Sequence, residues 1–191
     1  MTRLHEVVLS ENRAEALSAI RNYIFGSVKT FSPDGFELIK PKYDAGCNTY
    51  AIIDAMFFSD ISILLDAYET EWDCLWKGAS DGQFAFYAPY IVRLEESSAF
   101  TRWFLAEKVG LASEWGVFIR SYYSISEVAH HLRKFNQIYD EVNNKWVLFR
   151  YYSFVSIESV IPALPPKDFS QFFTGINQII SDGSGGKLLI I

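Results

Sequence analysis

The sequence predicts one α/β domain: a mixed, largely parallel β-sheet flanked by helices, with a C-terminal β-hairpin packed on it. Short strand-like segments alternate with helical segments of roughly ten residues, the pattern of β-α crossovers. The runs Ala51-Ile-Ile53 and Trp146-Val-Leu-Phe149 are continuously apolar, as strands covered on both faces are. Helix-capping residues stand where the periodicity changes. At 191 residues, 50% of them hydrophobic, the chain is long enough for a single core that needs no staples.

Taken in order, the first element is a helix. Asn12 with Glu15 three residues on is a capping signal, Leu17, Ile20, Tyr23 and Ile24 form one apolar face, and Gly26 is a suitable stop. A looser segment follows through Pro33-Asp-Gly35 and Pro41. Thr49–Ala55 reads as a buried strand, and Ser59 is placed to cap a helix carrying Ile61, Leu64, Leu65 and Tyr68. Glu71–Trp76 and Pro89–Leu94 are strand-like; Ser97 or Ser98 then opens a helix with Phe100, Trp103 and Phe104 inward, ended near Gly110. Trp115–Arg120 is another strand. Ser124 with Glu127 is a full capping box for a helix burying Val128, Leu132 and Phe135. Gln137–Val142 and Trp146–Tyr151 flank Asn143-Asn144 as a hairpin. Two short helices follow at Phe154–Ile161 and Asp168–Thr174, and Gly185-Gly186 turns Asn177–Ser181 into Lys187–Ile191. The organisation is therefore an N-terminal helix and connecting segment over 1–46, the α/β domain over 47–175 and the hairpin over 176–191, packed on the same domain.

Charge and composition exclude some classes. The net charge of −6 and a pI near 5.1 argue against a surface that coats nucleic acid. The charge is concentrated: residues 47–100 hold Lys77 and Arg93 against nine acidic side chains, and the other segments nearly balance. The same stretch contains eleven aromatics in a chain that is 17% aromatic, so it is either core with an acidic outer face or a contact surface. The N-terminus has no apolar signal stretch, because Glu6 and Glu11 interrupt it. Ala51–Phe58 and Trp146–Val155 carry Asp54 and Arg150 and are too short for a hydrocarbon core of about 30 Å. The expectation is a cytoplasmic protein with no membrane insertion and no nucleic-acid partner.

Motifs for chemistry are sparse. Cys47 and Cys74 form no CxxC and no Cys/His spacing for zinc, so neither a metal nor another cofactor is expected. There is no P-loop, GxGxxG, GxSxG or HExxH. Gly183-Ser-Gly-Gly186 has no helix after it and reads as a turn. His130 and His131 are adjacent on a helix, about 100° apart, and cannot chelate one ion; His130 faces solvent and His131 borders the apolar face. One constellation stands out. Tyr90-Ile-Val-Arg93, Val117-Phe-Ile-Arg120 and Val147-Leu-Phe-Arg150 are strands ending in arginine, and Tyr50-Ala-Ile-Ile-Asp54 reaches an aspartate. If these strands are parallel, Arg93, Arg120, Arg150 and Asp54 share the edge where open α/β sheets place ligands. They would bind a carboxylate, a phosphate or a partner, or else form an ion network that locks loops to the sheet. Trp72 and the loop residues Phe84, Phe86 and Tyr87 are either core plugs or partner anchors.

The motifs, read in order, carry a resemblance. They run Tyr50-Ala-Ile-Ile-Asp-Ala55, Cys74-Leu-Trp-Lys-Gly78, Ala88-Pro-Tyr-Ile-Val-Arg-Leu94, Phe100-Thr-Arg-Trp103, Glu114-Trp-Gly-Val-Phe-Ile-Arg-Ser121, His131-Leu-Arg133, Lys145-Trp-Val-Leu-Phe-Arg-Tyr-Tyr152, Ile161-Pro-Ala-Leu164 and Phe172-Phe173. This series resembles the adaptor/chaperone domain of bacterial type VI secretion systems over about residues 48–175. The resemblance implies a non-enzymatic protein that binds an effector toxin's N-terminal segment and contacts the VgrG spike. It also implies that Asp54, Arg93, Trp103, Trp115, Arg120 and Arg150 are scaffold positions or line a shared groove. The sequence departs from the family at Ser153, where an Asp is usual, and carries one hairpin where many members have a helical lobe. Two alternatives compete with the adaptor: a small hydrolase or transferase using the Arg/Asp edge, and an immunity-type protein covering a basic toxin with its acidic face.

Overall fold

The computed structural model describes residues 3–28, 30–31, 38–39, 46–58, 60–77, 86–109, 114–183 and 186–191. In chain order these form β1 (His5–Val8), α1 (Arg13–Phe25), β2 (Thr30–Phe31), β3 (Leu38–Ile39), β4 (Asn48–Asp54), α2 (Ile61–Ala67), β5 (Trp72–Cys74), β6 (Pro89–Leu94), α3 (Ala99–Glu107), β7 (Gly116–Ser121), α4 (Ile125–Leu132), β8 (Gln137–Asp140), β9 (Lys145–Leu148), α5 (Pro166–Phe172), β10 (Gln178–Gly183) and β11 (Lys187–Ile190). A 3-10 turn follows α4, and a π-helical turn spans Ser156–Val160.

Local chemistry sets the helix starts. The Asn12 side chain accepts from the Ala14 and Glu15 amides, and Ser98 Oγ accepts from Thr101. Ser124 and Glu127 exchange both bonds of a capping box. Ser153, where the resemblance leads one to expect Asp, accepts the Ser156 amide at 3.3 Å, just ahead of the helical residues 154–155 that lead into the π-helical turn. The expected cap Ser59 lies outside the described residues, as do Pro33-Asp-Gly35, Pro41 and Gly110.

The expectation of a largely parallel sheet is wrong. The main sheet has seven strands in the order β1-β11-β10-β7-β4-β6-β5, and every neighbouring pair is antiparallel. The reason lies in how two crossovers interlock. Through α2, β4 connects to β5, and through α3, β6 connects to β7; each crossover joins strands that run the same way. Instead of lying side by side, the two units interleave, with β6 between β4 and β5 and β4 between β6 and β7. This is the split β-α-β arrangement of ferredoxin-like sheets, here extended by the β10–β11 hairpin and by β1. Alternating strands and helices report the crossovers but not which strands become neighbours.

Coverage on both faces holds. On one face Ala51, Ile53 and Phe118 pack with Ile20 and Ile24 of α1, Ile61 and Leu65 of α2, and Phe100 and Phe104 of α3. On the other, Tyr50, Ile52, Val117 and Ile119 meet Val128 and Leu132 of α4, Tyr151, Tyr152 and Ile157, and Phe169 and Phe172 of α5. The aromatic excess divides between these layers. Phe104, Trp115 and Phe118 cluster on the first at centroid separations of 4.7–6.4 Å. Tyr151, Phe172 and Phe173 cluster on the second at 5.6–5.7 Å. Among the described residues no helix is long and apolar enough to cross a membrane.

Candidate functional site

Strand direction separates the residues that the sequence groups on one edge. Because β4 runs against β6 and β7, Tyr50 faces Arg93 and Thr49 faces Arg120, while Asp54 faces Pro89 at the far end. The four-residue Arg/Asp edge does not form, because Arg93 and Arg120 lie at the opposite end of the sheet from Asp54. Arg93 lies on the surface between Glu71 (3.2 Å) and Glu95 (3.8 Å). Arg120 is buried and donates to the carbonyls of Tyr23 (2.9 Å) and Gly26 (3.0 Å). It thus closes the C-terminal end of α1, where a cation also opposes the helix dipole. Trp72 is half-buried, donates to Asp66 at 2.9 Å and packs edge-on against Tyr90, so it fixes the outer strand β5.

Arg150 reaches Asp54 by a different route. It is not the end of a sheet strand: β9 stops at Leu148 and pairs only with β8 in a separate two-stranded sheet. From two residues beyond, Arg150 swings back to the sheet and donates to the Asp54 carboxylate, which is 1% exposed. Asp54 Oδ1 also accepts the Met56 amide at 3.0 Å. Partial burial works against the Arg150 charge, but the hydrogen bond and charge of Asp54 outweigh it and raise its pKa. Burial pushes the Tyr152 phenol well above its ordinary range, so it stays neutral beside the pair. The guanidinium lies 5.5 Å from the Phe57 ring centroid. Gly116 completes the geometry: its φ of +139° is open to glycine, and a Cβ there would stand 1.8 Å from the Ile52 carbonyl. That close approach lets the Trp115 carbonyl accept the Asp54 amide at 2.8 Å.

Around this pair the molecule exposes apolar side chains. Met56 and Phe57 follow β4, and Phe86 and Tyr87 precede β6, so register brings both pairs to the Asp54 end; all four are about half exposed. Phe84 lies outside the described residues. The β8–β9 hairpin is rooted at the same end, since Arg133 donates to the Cys74 carbonyl (2.6 Å) and Asn136 to that of Leu75 (2.7 Å). Ile138, Tyr139, Val142, Trp146 and Leu148 are all exposed on it, Trp146 by 67%. A cleft of about 530 Å³ opens between hairpin and sheet, walled by Trp76, Lys77, Arg133, Lys134, Trp146 and Leu148 with Asn136 and Gln137. Monomeric surfaces seldom carry so many apolar groups together unless something docks there.

The sequence comparison bears on the same stretch. Residues 49–171 match the family described as a domain of unknown function, DUF4123. The chain belongs to this family. No curated protein and no solved structure matches it. The DUF4123 match contains Asp54, Arg150, the hairpin and the whole cleft wall, whereas β1, α1 and the β10–β11 hairpin lie outside it. Sequence reasoning finds Asp54, Arg150, Phe86 and Tyr87 in this DUF4123 domain and places the hairpin about the observed turn, but it misses the hairpin's exposed face. The run Trp146-Val-Leu-Phe149 reads as a strand covered on both sides, yet only its last residue is buried. The signal that locates it is the Asn143-Asn144 turn: a local hairpin pairs with itself and leaves a face open. Among the described residues no group of three or more His, Cys, Asp or Glu is placed to hold a metal.

Proposed function

We propose that this chain is a non-enzymatic adaptor or chaperone that binds the N-terminal segment of a type VI secretion effector and helps load it onto the VgrG spike. Two things support the reading: the ordered motifs that resemble such adaptors, and their position within the DUF4123 match. The observation that carries it is the apolar end of the sheet, where Met56, Phe57, Phe86, Tyr87 and the hairpin face stay exposed beside an anchored ion pair. Exposed aromatics on a rigid frame are what a protein-binding surface needs, because they gain the most on burial and lose little freedom. An adaptor of this kind works in the cytoplasm, before its cargo is fired.

The test is co-purification with the toxin encoded in the same gene neighbourhood, with and without that toxin's N-terminal segment. The complex is expected to form only when the segment is present, and Trp146→Ser with Leu148→Ser is expected to abolish it at an unchanged melting temperature. Capture that ignores the segment, or that survives the double substitution undiminished, counts against the proposal.

A further inference from the structure

Resting on the reading that this chain binds a partner polypeptide, we propose that the cleft between Trp76 and the β8–β9 hairpin takes an extended partner segment bearing carboxylates beside aromatic or aliphatic side chains. Charge complementarity is the first argument. Asp73 is shared by Arg133 at 2.7 Å and Lys77 at 3.7 Å, one carboxylate for two cations. Lys134 is exposed, and among the described residues no carboxylate lies within 4 Å of it. The cleft is therefore a positive site on a chain of net charge −6, next to the most acidic stretch of the sequence. Such a site attracts anions locally while the rest of the surface repels them.

The apolar half of the recognition comes from register. Gln137 opposes Leu148 and Tyr139 opposes Trp146, so these four share one hairpin face that leads out of the cleft. Tyr139 and Trp146 meet edge to face at 5.4 Å, which holds the ladder in place before anything binds. Size points to a segment: about 530 Å³ falls inside the range of small-ligand pockets, about 300–1,000 Å³, which is room for a few side chains and not for a folded domain. The segment does not add to β5 as a strand here. Arg133 and Asn136 occupy the Cys74 and Leu75 carbonyls, which leaves recognition to side chains.

The experiment is fluorescence anisotropy on the full chain with three fluorescein-labelled dodecapeptides. One alternates Asp or Glu with Leu or Phe; the second has Lys at the acidic positions; the third has Ser at the apolar ones. The first is expected to bind at least about tenfold tighter than either control, and its affinity to fall by about tenfold or more in Lys77→Glu with Lys134→Glu. Both lysines are exposed, so the melting temperature is expected to stay put. Equal binding of the lysine peptide, or unchanged affinity in the charge-reversed variant, overturns the proposal. So does tighter binding of a single-stranded oligonucleotide, or a dimer, seen by sedimentation, that the variant breaks. Effector capture that persists in the charge-reversed variant while no peptide binds overturns the cleft alone; peptide binding without effector capture overturns the adaptor reading alone.

Discussion

Arg120 and Arg150 look alike in the sequence, each closing an apolar run, and do different work in the fold. Arg120 is buried under the end of α1, where its guanidinium holds the carbonyls of Tyr23 and Gly26. Arg150 neutralises Asp54, a carboxylate buried at the apolar end. Removing either leaves buried polar groups without a partner, so Arg120→Ala and Arg150→Ala are each expected to cost about 2–4 kcal/mol in denaturant unfolding. Arg93→Ala, between two exposed carboxylates, is expected to cost less than about 1 kcal/mol. Equal losses in all three would mean that burial does not separate them. The residue types were legible: arginine after an apolar run announces a charge that must be satisfied. The partner was not, because it depends on whether β4 runs with or against its neighbours.

At the scale of elements, caps were the most readable feature. Asn12, Ser98 and Ser124 each bind the amides that their side-chain chemistry predicts. Strand β1 was invisible, since His5-Glu-Val-Val8 has neither a long apolar run nor clean alternation, and its place depends on β11, more than 170 residues away. Its pairing is stabilised by Lys187 on Glu6 at 2.9 Å, an exposed contact of small energy. The packing of α4 on α5 has a titratable contact that the sequence partly anticipated. The Nε2–H of His131 donates to the Phe172 carbonyl at 2.8 Å, and its ring meets Phe135 edge-on. Burial lowers its pKa below the ordinary 6.5 against the pull of that hydrogen bond, and the charges of Lys134 and His130 add to the lowering. The unfolded chain then binds the proton more readily, so this contribution is present above pH 6.5 and is lost as pH falls through the depressed folded value. Wild type is expected to lose melting temperature between pH 7.5 and 5, and His131→Gln to lose less over the same window. Identical pH profiles would remove His131 from the account.

For the whole molecule, two-sided coverage of the sheet was legible in Ala51-Ile-Ile53, because continuous apolar runs need partners on both faces. The strand order was not. Crossover helices α2 and α3 are compatible with adjacent parallel strands or with interleaved units, and only long-range pairing selects the second. The interleaving sends the Arg93 and Arg120 ends one way and gathers Asp54, Phe57, Phe86 and the hairpin root at the other. The acidic, aromatic segment, which the sequence reads as core or contact surface, is divided between the packed faces and one exposed end. The central claim is that this end receives the partner. Hydrogen–deuterium exchange on the full chain, with and without the effector's N-terminal segment, tests it most directly. The account predicts new protection at 55–57, 86–88 and 133–148 and none around Arg93, Arg120 or Tyr122; protection at that opposite end, or none anywhere in a complex that does form, would contradict it.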